Sequence, residues 1–331
     1  MAQFRVLSPA DVIEILDLFG YPPATYVGHQ AIAVGTINTN VRVETTEGSR
    51  FLRVNEGKTL DDVAREAAIV AVLSARGVPT PAPIQAVAGS GIGEPYGRWR
   101  GEIVSLFPWL PGRTLARGEV TPEHARQAGS ALGTLHRVGV DFPDHTLGRY
   151  EPDEIDRRLD RVAAVAASDR ALADAVAVLR PELAALAAER ARDVPVGVIH
   201  GDLFIDNVLF DGQRLVALLD FEQASWGRLA YDLAVTMLAF GFGSEDFRPE
   251  IVAALFDGYF ARRPFTDVER NGFGNELRFA ACRFAITRIT DVHLKRAAGA
   301  APGKDFRRYL SRLARVKEHL EAHDGLLTPL S

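Results

Sequence analysis

One segment of this 331-residue chain constrains its fold more than any other, because a polar loop is held there between short apolar strands. The loop presents Asp202, an amide five residues later at Asn207, and a second carboxylate thirteen residues beyond that, at Asp220. Apolar segments of this length are typical of buried strands. The three segments in question are 196–199, 208–210 and 215–219.

The composition is that of an ordinary globular protein, with 47% apolar and 24% charged residues. It argues against disorder, collagen and a long coiled coil. The length predicts two domains or lobes of about 150 residues each. A net charge of -5 disfavours a globally basic nucleic-acid binder, so we expect no nucleic-acid partner.

Cysteine usage and apolar runs bear on the compartment. Cys282 is the only cysteine, which excludes an internal disulfide and fits a reducing environment. The first twenty residues carry acids and no long apolar core, so they do not predict a signal peptide. The longest apolar runs, such as 233–242, are too short to span a membrane. We therefore expect a cytoplasmic protein without a membrane partner, and its oligomeric state stays open.

Periodicity and breakers divide the chain into a β-rich part and a larger helical part. Pro108 and the pair Pro111-Gly112 break the last predicted strand of the first part. We place the boundary there, with a first domain at 1–107 and a second at 108–331. The predicted helices are 8–19, capped by Ser8, then 61–76, 121–138 and an alanine-rich stretch at 157–192 interrupted near Ser168 and Pro181; further strands are 41–45, 51–54 and 102–107, and the chain from Leu229 onward is mostly helical.

The polar loop contains the residue types that phosphoryl transfer from ATP requires. One carboxylate must accept or orient the proton of the attacking hydroxyl, and Asp202 suits this role. An amide oxygen and a second carboxylate must hold Mg²⁺ on the phosphates, and Asn207 and Asp220 suit that role. The alternative is a plain turn, since Asp, Asn and Gly favour loops. The combination and its spacing favour the kinase interpretation.

The sequence Ile199-His200-Gly201-Asp202-Leu203-Phe204, followed by Asp206-Asn207-Val208, resembles the catalytic loop of the aminoglycoside phosphotransferase and choline kinase superfamily. It looks most like the bacterial homoserine kinases of that superfamily. The resemblance covers nearly the whole chain and is strongest over 198–234. It implies an α+β, bilobal, protein-kinase-like fold, with a small β-rich N-lobe, a larger mainly helical C-lobe and ATP in the cleft. It also implies an ATP- and Mg²⁺-dependent kinase that converts L-homoserine to O-phospho-L-homoserine, a step of threonine biosynthesis.

Other residues gain nucleotide-binding roles through the same resemblance. The segment 35–40 falls at the place of the phosphate-covering loop, although a generic hairpin turn is an equal alternative. Arg53 stands where these kinases commonly carry a phosphate-binding Lys, and Glu66 on the next helix would be its ion-pair partner. The alternatives are a solvent-facing arginine and an exposed glutamate. The predicted nucleotide-binding residues are Gly35, Thr36, Asn38, Arg53, Glu66, Ser105 and Phe107, the last two on the hinge strand beside the adenine.

Two further residues match supporting positions of the superfamily. Asp232 would brace the catalytic loop, because a buried carboxylate needs donors and loop N–H groups would serve. For His136, at the end of its helix, we favour a satisfied core histidine. The basic segment 296–317 alternates with apolar residues, which predicts a solvated helix face rather than a nucleic-acid site.

The acceptor is the part of the function that the sequence constrains least. Homoserine carries an ammonium, a carboxylate and a primary alcohol, so its pocket needs an acid and an arginine. The candidates are Arg283 and Arg288 for the carboxylate and Asp206 and Glu222 for the amine. An exposed helix face with an Arg288–Asp291 pair is an equal alternative for the arginines.

Alternative functions follow from residues 222–227, which read Glu-Gln-Ala-Ser-Trp-Gly and look nearer the general superfamily pattern. An aminoglycoside phosphotransferase or another small-alcohol kinase of the choline kinase type is therefore the first alternative. A catalytically silent pseudokinase is disfavoured, because Asp202, Asn207 and Asp220 are all intact. A protein kinase is disfavoured because no Ala-Pro-Glu signature is recognisable.

Overall fold

The computed structural model describes residues 5–32, 38–87, 93–243, 246–295 and 305–322. α-Helices are combined with antiparallel sheet, which confirms the α+β prediction. The chain divides into two compact units, Met1–Arg113 and Thr114–Ser331. The sequence-based boundary after Phe107 stays a prediction about where the functional parts separate.

The first unit contains a five-stranded antiparallel sheet with the strand order β1-β2-β3-β5-β4. Its strands are β1 (Tyr26–Ala31), β2 (Thr39–Thr45), β3 (Gly48–Val54), β4 (Gly97–Trp99) and β5 (Glu102–Pro108). Helices α1 (Pro9–Leu18) and α2 (Leu60–Ala75) complete it, and the predicted cap at Ser8 is confirmed by a capping box with Asp11. The sequence patterns do not predict β1, whose burial does not alternate, or β4, which has three residues.

Strand alternation gives this sheet an apolar face and a polar face. The apolar side chains are buried with those of α1, among them Val41, Val43, Leu52, Val54, Val104 and Leu106. The intervening positions point the other way. There the register of β3 and β5 pairs Arg53 with Ser105 and Phe51 with Phe107. The predicted nucleotide-binding residues of these two strands therefore share the polar face.

The second unit is mainly helical. Its helices are α3 (Pro122–Val138), α4 (Pro152–Val165), α5 (Arg170–Glu189), α6 (Leu229–Phe240), α7 (Pro249–Phe260), α8 (Asp267–Arg288) and α9 (Arg307–Ala322). Two antiparallel strand pairs carry the polar loops: β6 (Val196–Ile199) with β9 (Ser225–Arg228), and β7 (Val208–Asp211) with β8 (Arg214–Leu218). No helix within the described residues is long and apolar enough to cross a membrane.

The alanine-rich stretch corrects one prediction. A 3₁₀ turn at Ala166–Ser168 separates α4 from α5, which confirms the interruption near Ser168. The second predicted interruption is wrong, because α5 continues through Pro181. Leu179 and Leu183 on either side are buried, and this packing outweighs the single backbone hydrogen bond that a proline removes.

Helices α3 and α7 approach each other closely at two glycines. A Cβ atom on Gly129 would lie 2.0 Å from the carbonyl oxygen of Leu255, and one on Gly258 would lie 1.9 Å from that of Arg126. Only glycine permits this spacing. These two glycines therefore allow the close packing of α3 against α7.

Candidate active site

The loop between β6 and β7 folds back on the residue that the sequence assigns as the base. The carbonyl oxygen of Asp202 accepts hydrogen bonds from the Phe204 N–H at 2.8 Å and from Nδ2 of Asn207 at 2.8 Å. The Asn207 N–H donates in turn to the Phe204 carbonyl at 3.0 Å. These bonds hold Asp202 and Asn207 in one compact turn, and the Asp202 side chain is 30% exposed.

Asp232 on the buried helix α6 fixes the start of this loop. Its carboxylate accepts hydrogen bonds from the His200 N–H at 2.7 Å, from the Gly201 N–H at 2.8 Å and from Nε2 of His136 at 3.0 Å. Burial on its own would raise the pKa of Asp232, but the hydrogen bonds that its carboxylate accepts outweigh this effect, so the pKa lies below its ordinary value. The prediction that Asp232 braces the loop is confirmed.

His136 links that carboxylate to α7. Its Nδ1 accepts a hydrogen bond from the Tyr259 hydroxyl at 2.7 Å, and Nη1 of Arg263 donates to the same hydroxyl oxygen at 3.1 Å. Burial lowers the pKa of His136 more than Asp232 raises it. The imidazole is therefore neutral, with its proton on Nε2, and the interpretation as a satisfied core histidine is confirmed.

Two hydrogen bonds to backbone groups of Leu219 connect the stretch before Asp220 to the loop that carries Asn207. The Leu219 N–H donates to the Asn207 carbonyl at 2.9 Å, and Nε2 of His200 donates to the Leu219 carbonyl at 2.9 Å. Asp220 follows in a left-handed conformation, with φ 63° and ψ 66°, and is exposed. The three residues predicted for chemistry therefore lie on two connected loops.

The donor atoms of these loops suit a hard divalent cation. Because Nδ2 of Asn207 is engaged by Asp202, the amide presents its oxygen away from that bond. An amide oxygen and a carboxylate are ligands that Mg²⁺ accepts while it keeps its remaining positions for phosphate and water. Asn207 and Asp220 therefore fit a site of this kind.

Arg283 on α8 lies against Asp202, with Nη1 at 3.7 Å from the carboxylate oxygen Oδ1. Its guanidinium is enclosed by two rings, at 4.0 Å from the Tyr150 centroid and 3.8 Å from that of Phe284. The side chain is 3% exposed. The structure thus brings one predicted substrate arginine to the predicted base.

The other predicted acceptor residues lie on three separate elements of the second unit. Arg288, at the end of α8, is half-buried and donates from Nη1 to the Asp305 carbonyl at 3.1 Å. It does not pair with Asp291, whose carboxylate instead accepts from Nη1 of Arg158 at 2.8 Å. Asp206 lies exposed in the turn Ile205–Asn207, and Glu222 lies half-buried in the turn Phe221–Gln223.

Helix α9 contains a correction to the sequence analysis. Arg312 is 2% exposed and Tyr309 is fully buried, so the basic segment is not a uniformly solvated helix face. Neighbours such as Arg307 and Arg308 are exposed, as predicted. Arg312 and Tyr309 are one helical turn apart and lie on the buried side of α9. The apolar repeat of Leu310, Leu313 and Val316 predicts that such a side exists, but it does not predict which arginine is buried there.

Among the nucleotide-binding candidates of the first unit, the expected ion pair is present. Nη1 of Arg53 lies 2.9 Å from Oε1 of Glu66, and both side chains are about nine-tenths buried, at 11% and 12% exposure. The other carboxylate oxygen of Glu66 accepts from Nζ of Lys58 at 3.2 Å. Sequence reasoning missed Lys58, because it lies in a turn outside the strand and helix that carry the expected pair.

The remaining candidates of the first unit are spread along its strands. The Phe51 and Phe107 rings each lie 5.8 Å from the Arg53 guanidinium. Ser105 is buried, and its hydroxyl oxygen accepts from Nδ2 of Asn55 at 3.0 Å. Asn38 is buried next to β2, whereas Gly35 and Thr36 lie outside the described residues.

Comparison with known proteins agrees with this geometry. Residues 28–268 match the model of a family described as the phosphotransferase enzyme family. The chain belongs to this family. The phosphotransferase is 35% identical to the homoserine kinase of Methylobacterium radiotolerans over 98% of both chains. It is 33% identical to the homoserine kinase of Xanthobacter autotrophicus over 95% of both chains. The predicted family and the prediction of an enzyme are confirmed.

Its fold is also that of solved phosphotransferases. A spectinomycin phosphotransferase in complex with ADP and spectinomycin superimposes with a TM-score of 0.71, at 15% sequence identity, over 96% of this chain and 98% of that chain. In the present phosphotransferase the second unit provides a carboxylate that can take a proton and two oxygen ligands that can hold a cation. The first unit provides two largely buried cationic side chains, Arg53 and Lys58, which both pair with Glu66.

Proposed function

We propose that this phosphotransferase transfers the γ-phosphoryl group of ATP to the side-chain hydroxyl of L-homoserine, forming O-phospho-L-homoserine and ADP. The near-full-length similarity to homoserine kinases carries this proposal. The Asp202–Asn207–Asp220 arrangement supports the reaction type, and Arg288 at the end of α8 supports an acceptor that bears a carboxylate.

Asp202 is the proposed base. The homoserine hydroxyl oxygen attacks the γ-phosphorus, a new P–O bond forms, and the bond from phosphorus to the β–γ bridging oxygen breaks as ADP leaves. Asp202 accepts the hydroxyl proton and passes it to solvent. Arg283, at 3.7 Å, holds the carboxylate in place and adds positive charge beside the transferring group.

Asn207 and Asp220 are the proposed ligands of Mg²⁺. When bound, this ion neutralises phosphate charge and orients the γ-phosphoryl group for in-line attack. Asn207 is held for this purpose by its bond to the Asp202 carbonyl, and Asp220 by the connection through Leu219.

The first unit would bind the nucleotide. Arg53, aligned by Glu66, would contact phosphate oxygens, and Glu66 keeps Lys58 as a second partner. The strand residues Ser105 and Phe107 would lie beside the adenine, and Asn38 beside the phosphates. Asp206 and Glu222 are the candidate acids for the homoserine ammonium group.

An acceptor panel tests the function. ADP release from the full chain with ATP and Mg²⁺ would be measured with L-homoserine, choline, ethanolamine, spectinomycin and kanamycin, and the product identified by mass spectrometry. We expect kcat/KM for homoserine to exceed that for each other acceptor by at least about 100-fold. A preference for an aminoglycoside or for choline would overturn the proposal.

Asp202 can be tested with a matched variant of the same region. Asp202→Asn should lower kcat by about 10²- to 10⁴-fold and leave nucleotide affinity nearly unchanged, because the amide cannot take the proton. Asp211→Asn, which changes an exposed carboxylate at the end of β7, should retain kcat within about twofold. Equal kcat for Asp202→Asn and wild type would exclude Asp202 as the base.

A further inference from the structure

Three arginines of the second unit share an unusual environment, because none has a carboxylate within 4 Å among the described residues. They bind backbone carbonyl oxygens instead. Arg117 donates to Phe242 at 2.7 Å, Arg288 to Asp305 at 3.1 Å and Arg312 to Leu238 at 2.6 Å. Buried arginines elsewhere in this unit are paired with acids, as Arg190 is with Glu276 at 2.7 Å. The three arginines therefore carry positive charge that no carboxylate of the described residues contacts.

Tyr309 joins two of these arginines. The centroid of its ring lies 4.4 Å from the Arg288 guanidinium carbon and 4.9 Å from that of Arg312. The Tyr309 hydroxyl and Nη2 of Arg312 are both buried, and within the described part of the chain neither has a hydrogen-bond partner. Buried donors of this kind are rare in folded proteins and call for an explanation such as a ligand. We call Arg117, Arg288, Arg312 and Tyr309 the arginine–tyrosine cluster.

The cluster adjoins the loop that carries the proposed base. The Tyr309 ring stacks on Phe284 at 5.1 Å, and Phe284 contacts Phe204 of that loop at 5.0 Å. The negative charge of Asp202 also acts on Arg288 and on Tyr309, and that of Asp206 acts on Arg117. Two ring contacts therefore link the cluster to the loop of Asp202.

The charges within the cluster repel one another. Burial lowers the pKa of Arg312 to about 10; the nearby Tyr309 acts in the opposite direction, and Arg117, Arg288 and Arg308 lower it further. Burial likewise lowers the pKa of Arg288, with Arg308 and Arg117 adding to this effect. A bound anion would relieve the repulsion and accept hydrogen bonds from the unpartnered donors.

We propose that the arginine–tyrosine cluster binds the carboxylate group of the acceptor amino acid. This inference rests on the proposed function and assigns its acceptor specificity. Arg117, Arg312 and Tyr309 would then act together with the sequence-predicted Arg288. A carboxylate is the group that separates an amino-acid alcohol from choline, ethanolamine and aminoglycosides, none of which would satisfy these donors.

A pair of acceptors isolates the carboxylate. 3-Amino-1-propanol is homoserine with a hydrogen in place of that group, so kcat/KM for the two alcohols measures what the carboxylate contributes. In wild type we expect homoserine to be preferred by at least about 100-fold. Arg288→Met should lower kcat/KM for homoserine by at least about tenfold and change the value for 3-amino-1-propanol by less than about twofold.

Tyr309→Phe separates a ligand role from a packing role without emptying the core. If the hydroxyl binds the carboxylate, the variant loses about threefold or more in kcat/KM for homoserine alone. If the hydroxyl is merely unsatisfied, the variant melts at a higher temperature and keeps the wild-type preference, which overturns its assignment. Arg307→Met, which removes the same charge from an exposed position of α9, serves as the matched control. Thermal melting verifies that each variant is folded.

Calorimetric titration of the full chain with homoserine distinguishes the two proposals. If Arg288→Met and Tyr309→Phe both turn over homoserine with the acceptor preference of wild type, carboxylate binding by the cluster is excluded and the proposed function stands. If wild type binds homoserine without phosphorylating it, the proposed function is overturned. Loss of that binding in Arg288→Met, with binding retained in Arg307→Met, would then support carboxylate binding by the cluster. Absence of both binding and turnover in wild type overturns both.

Discussion

The carboxylate of Asp232 accepts a hydrogen bond from the backbone N–H of His200 at 2.7 Å. This bond ties a fully buried anion on α6 to the first residue of the loop that carries Asp202. Gly201 donates to the other carboxylate oxygen at 2.8 Å, so two successive N–H groups of the loop depend on one side chain. The geometry of the proposed base is therefore set by a residue that is not itself placed at the reacting atoms.

Asp232→Asn should destabilise the protein and lower its activity together. An amide has one acceptor oxygen, so its NH₂ group must face an N–H donor of His200, Gly201 or His136. We expect a loss of about 3 kcal/mol in the free energy of unfolding, measured by urea denaturation. Kinetics on the folded fraction should show a lower kcat. As a control, Asp257→Asn removes an exposed carboxylate that pairs with Arg126 and should cost less than about 1 kcal/mol. Equal losses in the two variants would contradict the bracing role.

His136 should make stability depend on pH. Its folded-state pKa is lowered by burial, whereas in the unfolded chain it is near 6.5. Below pH 6.5 the unfolded chain therefore takes up a proton that the folded protein does not, and the free energy of unfolding falls by up to about 1.4 kcal/mol per pH unit, until the folded-state pKa is reached. The charged and titratable groups around it are Asp232, Tyr259, Arg263 and Glu269.

His136→Gln tests this slope, because glutamine can donate to Asp232 and accept from Tyr259 without titrating. The free energies of unfolding of both proteins would be measured between pH 7.5 and 5. The difference between wild type and variant should shrink as the pH falls below 6.5. A difference that is constant with pH would show that folding does not lower the pKa of His136.

Gly201 should tolerate alanine less well than Gly212 does. Both have a left-handed backbone, with φ of 75° and 56°. A Cβ on Gly201 would lie 2.8 Å from the carbonyl oxygen of Gln223, whereas one on Gly212 meets nothing within 4 Å. Gly212→Ala should cost about 1–2 kcal/mol, the ordinary penalty of that conformation, with kcat unchanged. Gly201→Ala should cost more and also lower kcat. If Gly201→Ala and Gly212→Ala have the same melting temperature and the same kcat, the close approach of Gly201 to Gln223 is not required for stability or activity.

Arg53 should matter for nucleotide binding more than for folding, since Glu66 keeps Lys58 as a partner when Arg53 is removed. Arg53→Met should raise KM for ATP by about tenfold or more, and Arg53→Lys by less, because a charge-assisted bond to phosphate is lost or weakened. Arg98→Met, at an exposed position of β4, is the matched control. An unchanged KM for ATP in Arg53→Met would exclude Arg53 from phosphate binding.

Local patterns in the sequence were sufficient for much of the fold. The cap at Ser8, the alternation in β2 and β3 and the break near Ser168 all depend on neighbouring residues, so they can be predicted without the rest of the chain. Pro181 shows where such reasoning fails. Its effect depends on packing of α5 against the rest of the unit, and no local pattern contains that information.

The sequence by itself determined which residues are proposed for the catalytic chemistry, because Asp202, Asn207 and Asp220 lie on one short stretch with characteristic spacing. Only the tertiary structure decided what surrounds them. Arg117, Arg288 and Arg312 are separated by up to 195 positions along the chain (312 − 117), and no periodicity relates them. Folding brings the guanidinium carbons of Arg288 and Arg312 to 4.4 Å and 4.9 Å from the centroid of the Tyr309 ring. No carboxylate of the described residues lies within 4 Å of these arginines or of Arg117. The proposed recognition of the acceptor carboxylate therefore depends on packing between distant helices.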